Sequence, residues 1–486
     1  MTVREIRLLQ DSLLRYGSDP ATADKPVVVA EGEPHTYGEL LASARRLAGS
    51  LQAHGVRRGD RVAIYLDNGW PAVVAIYATL LAGGVFLVVN PQTKSDKLGF
   101  VLDDCAARVL VTDAHLGVQF LPLLDGSRLP GGVICSGEYP RHPAVSPLDA
   151  AMAATAPEPV PPTVIGLDLA ALIYTSGSTG APKGVMQTHQ SMVFTTGSLI
   201  EYLRLSADDR ILCALPLAFD YGLYQLLMAV RLGATLVLER SFTFPAQVFA
   251  RMQAEGVTVF PGVPTMFAML LAAHRESPLR FDGVTRVTNT AAALSDDSAA
   301  RLREIFPQAL IYKMYGLTEC KRVSYLEPEL VDQRPGSVGK AIPGTEVYLL
   351  SPSGEPTPAG EIGVLHVRGP HVMLGYWNRP DLSEHMLRPG RLPGERVLCT
   401  HDLFRMDEDG FLYFVGRSDD IIKTRGEKVS PVEVENAMSA IDGIREVAVV
   451  GVEDELLGQA IRAYVVLQDD ACLSVGQIRA LCLRRL

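Results

Sequence analysis

From residue 61 to residue 314 the chain alternates short apolar runs with stretches of helical period, and this alternation limits the possible folds more than any other feature. Residues 61–66, 85–89, 109–112, 211–215, 235–239, 257–260, 284–288 and 309–314 read as strands. Residues 71–81, 221–231, 245–253, 265–274 and 296–305 read as helices between them. Thr36 and Glu39 have the spacing of a capping box, and Leu40, Ala44, Leu47 and Leu51 follow at helical spacing. Strands that are apolar on both faces, joined by helices, predict an α/β fold of mainly parallel sheets with helices on both sides. Ligands of such sheets gather at the carboxyl ends of the strands.

The pattern changes near residue 340. Residues 347–350, 363–368 and 411–415 are short strands joined by Pro/Gly-rich turns, which predict a small antiparallel barrel over about 340–416. After Arg417 a mixed pattern returns, with Pro431 suited to a first helical turn and strands at 447–452 and 460–467. We place a boundary near Asp419, giving a large domain over 1–418 and a small α+β domain over 419–486. A chain of 486 residues exceeds one ordinary core, so two domains are expected.

Net charge is −10, which argues against a nucleic-acid-binding surface. The seven cysteines are scattered without a Cys-x-x-Cys pair, so neither a zinc site nor a disulfide framework is suggested, and a reducing cytoplasm is expected. The N-terminus lacks the apolar core of a signal peptide, and residues 71–85 are too short to span a bilayer.

Chemistry concentrates in residues 174–185, Tyr-Thr-Ser-Gly-Ser-Thr-Gly-Ala-Pro-Lys-Gly-Val. Glycine permits close backbone approach, so Thr175, Ser176, Gly177, Ser178, Thr179 and Gly180 can turn N–H groups and hydroxyls toward a polyphosphate, with Lys183 adding a mobile charge. A flexible linker is the plain alternative, but apolar Leu172, Ile173, Val185 and Met186 flank the loop. It is not a Walker A motif, because Ala181 and Pro182 separate Gly180 from Lys183 and a glycine follows.

The string resembles the phosphate loop of the adenylate-forming superfamily: acyl-CoA synthetases, peptide-synthetase adenylation domains and luciferases. Further elements follow in the superfamily's order. Residues 315–319, Tyr-Gly-Leu-Thr-Glu, resemble its Tyr-Gly-x-Thr-Glu element. That resemblance implies Tyr315 at adenine, Thr318 at the α-phosphate and Glu319 on Mg²⁺, with Gly316 also in the ATP site. Thr290, Ala291 and Ala292 fall where relatives are richer in glycine and border the adenine. Thr400-His-Asp402 stands where relatives commonly have Thr-Gly-Asp, implying Asp402 on the ribose hydroxyls, with His401 in place of glycine. Residues 416–423 and 426–431 resemble the hinge and the following loop, implying Arg417 near ribose and phosphate, Asp419 as pivot of a mobile lid and Gly426 at the thiol tunnel.

Residues 215–223 carry Phe219 and Asp220 where many CoA ligases have a histidine near the first of these and amino-acid-activating relatives have Phe-Asp. Asp220 lies in an apolar run, where a carboxylate needs a partner; a substrate ammonium is one candidate, and a helix N-cap role is the other reading. Tyr224 and Met314 are expected to narrow the pocket, and Arg322 to offer a second polar anchor. The resemblance implies a lysine in a Gly-Lys context near the end of the small domain. No such pair follows Asp419, so either the small domain is expected as a truncated one or the adenylation half-reaction lacks a usual charge.

These features predict an ATP- and Mg²⁺-dependent enzyme that turns a small carboxylic acid into acyl-AMP. Lys183, Thr318 and Glu319 are the catalytic candidates. Amino acid activation with delivery to the phosphopantetheine of a carrier protein comes first, a small-acid CoA ligase second. An adenylate-binding protein with little turnover is the reading from another class.

Overall fold

The computed structural model describes residues 6–124, 128–138, 142–153, 159–176, 182–290, 294–418, 420, 422–424, 427–454, 458–468 and 471–482. Two large sheets organise the chain. The first has seven strands, in the order Val145–Pro147, Val133–Ser136, Val109–Asp113, Arg61–Tyr65, Val85–Val88, Leu169–Ser176 and Pro182–Thr188. All its neighbours are parallel except the last pair, an antiparallel hairpin. The second sheet starts from a parallel set that includes Thr235–Leu238, Arg210–Cys213, Val259–Gly262, Arg286–Asn289 and Leu310–Tyr315.

The helix Tyr37–Ala53 begins with the expected capping box: the Thr36 hydroxyl accepts from the Glu39 N–H, and the Glu39 carboxylate accepts from the Thr36 N–H at 2.7 Å. It packs on Trp70–Ala82, most of whose residues are buried, and the covered faces explain the continuous apolar runs. The helix His189–Tyr202 is an addition to the expected set. Its buried side includes Ser191, Thr195 and Thr196, and Thr195 and Thr196 donate to backbone carbonyls four residues back. A polar buried face of this kind hides the usual apolar period.

The segment expected as a small barrel is an antiparallel series, ordered Ser337–Ala341, Leu412–Arg417, Arg396–Met406, Ile362–Arg368 and Glu346–Leu350. Its hydrogen-bonded order is linear. It joins the second parallel sheet through Ser337–Ala341, which also pairs with Ser324–Leu326. The series has its own apolar cluster, centred on Leu365, Leu398, Phe404 and Leu412. The small C-terminal domain is a four-stranded sheet with the helices Pro431–Ser439 and Val475–Cys482, around Ile422, Val434, Met438 and Ile444. Among the described residues no helix is long and apolar enough to cross a membrane.

Candidate active site

The strands that flank the glycine-rich segment, Leu169–Ser176 and Pro182–Thr188, pair antiparallel at the edge of the first sheet. Thr175 stands opposite Lys183 and Ser176 opposite Pro182, so the tip is presented by two paired strands. Gly177, Ser178, Thr179 and Gly180 lie outside the described residues, as do Ala291, Ala292, Asp419 and Gly426.

Residues 373–377 tie this hairpin to Glu319. Leu374 N–H donates to Met186 at 3.1 Å, Met186 N–H to Gly375 at 3.0 Å and Trp377 N–H to Gly184 at 2.8 Å, while Met373 N–H donates to the Glu319 carbonyl at 2.8 Å. The Tyr376 hydroxyl then donates to Glu319 Oε1 at 2.5 Å, and Lys183 Nζ lies 5.1 Å from the centroid of the same ring. Tyr376 therefore stands between the loop lysine and the carboxylate. Burial and the Glu319 charge push its hydroxyl well above the usual phenol range, so it remains a donor. The Gln187 amide donates to the Thr318 carbonyl at 3.2 Å and fixes the neighbouring residue from the same hairpin.

Among the described residues no cluster of three metal-ligating side chains occurs. Glu319 fits Mg²⁺ nonetheless, because that ion is commonly held by one or two carboxylates together with substrate phosphate oxygens.

Tyr315 ends the strand Leu310–Tyr315, and its hydroxyl donates to Asp402 Oδ2. Its ring meets Phe404 edge-on at 4.8 Å. Asp402 Oδ1 faces Arg417 Nε at 3.5 Å across paired strands, and its own N–H donates to Thr400 Oγ1 at 3.1 Å. Burial raises the Asp402 carboxyl above its ordinary range, against the opposing pull of Tyr315 and Arg417. His401 has φ 59°, the left-handed conformation that a glycine adopts at no steric cost. Its ring stacks on His385 with centroids 4.4 Å apart.

Gly316 makes the turn after Tyr315 possible, because an added Cβ would lie 2.4 Å from the Lys321 carbonyl oxygen. That turn delivers two buried cations, Lys321 at φ 65° and Arg322. Lys321 Nζ lies 3.6 Å from Asp220 Oδ2, 5.3 Å from the Tyr221 ring centroid and 4.9 Å from that of Tyr224. Asp220 is the first residue of the helix Asp220–Leu232. The N-cap is Phe219, which makes no side-chain cap, so the N-cap reading of Asp220 is corrected. Its carboxylate serves Lys321, a residue absent from the sequence-based site. Met314 and Tyr224 belong to the apolar core, and Met314 Sδ accepts from the Tyr202 hydroxyl at 3.0 Å. Phe219 is 52 % exposed and borders two cavities. One, of about 360 Å³, reaches Thr175, Pro182 and Lys97; the other, of about 700 Å³, runs toward Arg240 and Phe244.

Burial lowers Lys321 to about 7, with Asp220 pulling in the opposite direction. Between about 7 and the ordinary lysine value of 10.5, the unfolded chain holds this proton and the folded chain releases it. Stability from this group therefore rises with pH over that window. The difference in unfolding free energy between wild type and Lys321→Met is expected to grow between pH 7.5 and 9, by at most ~1.4 kcal/mol per pH unit. Parallel denaturant melts check it; a flat or falling difference refutes the assignment.

A family model described as AMP-binding enzyme matches residues 18–377, and one described as AMP-binding enzyme C-terminal domain matches residues 433–485. The chain belongs to the AMP-binding enzyme family. It is 34 % identical over 456 residues to a feruloyl-CoA synthase of an Amycolatopsis species, covering 92 % of this chain and 87 % of that protein. Its structure is similar to ATP-bound MatB from Rhodopseudomonas palustris, with TM-score 0.88 and 28 % identity, covering 99 % and 93 % of the two chains. It is also similar to the o-succinylbenzoate coenzyme A synthetase of Bacillus subtilis in complex with ATP and magnesium ion, with TM-score 0.83 and 29 % identity, covering 98 % and 93 %. This AMP-binding enzyme is an AMP-forming acid–thiol ligase of α/β fold, with a separate small C-terminal domain.

Proposed function

We propose that the enzyme activates a small carboxylic acid and passes the acyl group to the thiol of coenzyme A. The acid's carboxylate oxygen attacks the α-phosphorus of ATP, the bond to the bridging oxygen breaks, and pyrophosphate leaves. The thiolate then attacks the acyl carbon and AMP leaves. In this reading the Thr175 hydroxyl donates to the departing pyrophosphate and Lys183 neutralises its charge, Asp402 and Arg417 hold the ribose, and Glu319 holds Mg²⁺. When bound, the ion supplies charge neutralisation on the phosphate oxygens. Such catalysis consists of positioning and preorganised charge.

The observation that supports this reading is that the Tyr376 hydroxyl donates to Glu319 while Lys183 Nζ lies 5.1 Å from the same ring, so that one side chain stands beside both the hairpin lysine and the carboxylate we assign to the metal. Amino acid activation with delivery to a carrier protein is the second reading. It draws on Asp220, but the Lys321 ammonium already supplies that carboxylate with a cation, and so we favour an acid without an ammonium. Incubation with ATP, Mg²⁺, an acid panel and either coenzyme A or a phosphopantetheinylated carrier protein separates the two. Acyl-CoA formed from a non-amino acid is expected. Thioester found only on the carrier, and only from amino acids, reverses the choice.

A further inference from the structure

Two buried cations follow one another in the turn after Glu319, and one carboxylate lies beside the first of them. Lys321 is 4 % exposed and Arg322 1 % exposed, and the Asp220 carboxylate faces Lys321 at 3.6 Å. Asp220 is taken by Lys321. Arg322 is left with a hydroxyl and a ring: Nη1 donates to Thr290 Oγ1, and Cζ lies 5.7 Å from the Tyr221 ring centroid. Its Nε is buried without an acceptor, and no described carboxylate lies within ion-pair distance of the guanidinium. A guanidinium cannot shed its charge in a protein, so its burial is not relieved by deprotonation. A buried charge without a counter-charge is costly, and natural sites pair it.

The surroundings are built to hold that guanidinium in place. The Tyr221 hydroxyl bonds the Thr288 carbonyl at 2.8 Å, which fixes the ring beneath both cations. Thr290 directly follows the strand Arg286–Asn289, and Tyr221 lies in the first turn of Asp220–Leu232, so Arg322 sits where a strand end and a helix start converge. Arg286, a partly buried arginine, by contrast has its carboxylate, Asp209, at 2.9 Å.

We propose that Arg322 binds a second carboxylate on the substrate, so that the acids activated by this ligase are dicarboxylic. This rests on the ligase reading above and specifies its substrate class. One carboxylate is presented to the α-phosphorus. The other accepts from the planar guanidinium, whose fork suits a carboxylate's two oxygens. The Asp220–Lys321 pair closes the same end as a self-neutralised wall. An acid with an apolar or amide tail leaves Arg322 buried and unpaired, and a site built to bond a group discriminates strongly against analogues that lack it.

The test is acid-dependent ATP–pyrophosphate exchange with length-matched series: dicarboxylic acids, their mono-amides, alkyl monoacids and amino acids. Wild type is expected to favour the best diacid over its mono-amide by roughly 10- to 100-fold in kcat/KM, the range of one charge-assisted hydrogen-bonded pair. Arg322→Met is expected to bring that ratio close to one, chiefly by raising KM for the diacid. Arg322→Lys is expected to retain part of it. Melting temperature and ATP affinity report whether each variant is folded. If Arg322→Met does not fold, the wild-type ratio together with Arg322→Lys and Arg322→Gln decides the matter. A preference for amine-bearing or apolar acids, or an equal loss with every acid in the variants, overturns the inference and leaves the ligase reading intact. Exchange with no acid of any class sinks the ligase reading, and this inference with it.

Discussion

Glu319→Gln is expected to lower acid-dependent ATP–pyrophosphate exchange by roughly 10²- to 10³-fold while changing nucleotide affinity far less. The amide keeps an oxygen to accept from the Tyr376 hydroxyl, so the bonded connection to the Lys183 hairpin survives and the fold is spared. The negative charge is lost, and with it the carboxylate proposed to coordinate Mg²⁺. The deficit should therefore shrink at high Mg²⁺, where mass action offsets weaker binding. Exchange rates across a Mg²⁺ titration, beside ATP binding measured by calorimetry, check the prediction. Turnover equal to wild type at low Mg²⁺ removes Glu319 from the metal.

Asp402→Asn should act on the other half of the nucleotide. A carboxylate accepts two hydrogen bonds from a vicinal diol, whereas an amide accepts through one oxygen and presents two donors. ATP affinity is expected to fall about 10- to 100-fold, the range of one or two charge-assisted hydrogen bonds, with a smaller effect on turnover at saturating nucleotide. The amide oxygen still accepts from Tyr315, but the counter-charge of Arg417 is lost. A deoxyribose analogue distinguishes the ribose role from a structural one. If Asp402 meets the sugar hydroxyls, the penalty for removing a hydroxyl is large in wild type and small in the variant. An equal penalty in both contradicts the role.

The parts of this molecule that could be read from sequence are those decided locally. Thr36 and Glu39 specify a helix start by themselves, and the apolar flanks of the glycine-rich loop specify two strands. Tyr315, Glu319 and Asp402 stand out as candidates because their order along the chain carries the resemblance. What escaped was decided by tertiary contact. Tyr376 lies 57 residues beyond Glu319 in sequence, and only the backbone bonds of residues 373–377 bring it there. Lys321 follows the recognisable motif at once, yet nothing local says that it turns inward at positive φ to meet Asp220. The carboxylate thus acquired a protein partner where a substrate group had been considered. His189–Tyr202 was missed because hydroxyls lie on its buried face.

The most direct test of the account follows the phosphorus. The chain is incubated with α-labelled ATP, Mg²⁺, coenzyme A and a mixed panel of mono- and dicarboxylic acids, and the nucleotide products are separated. The account predicts acid-dependent appearance of AMP with an equal amount of pyrophosphate and a matching thioester. Release of ADP, or ATP left untouched with every acid, contradicts it.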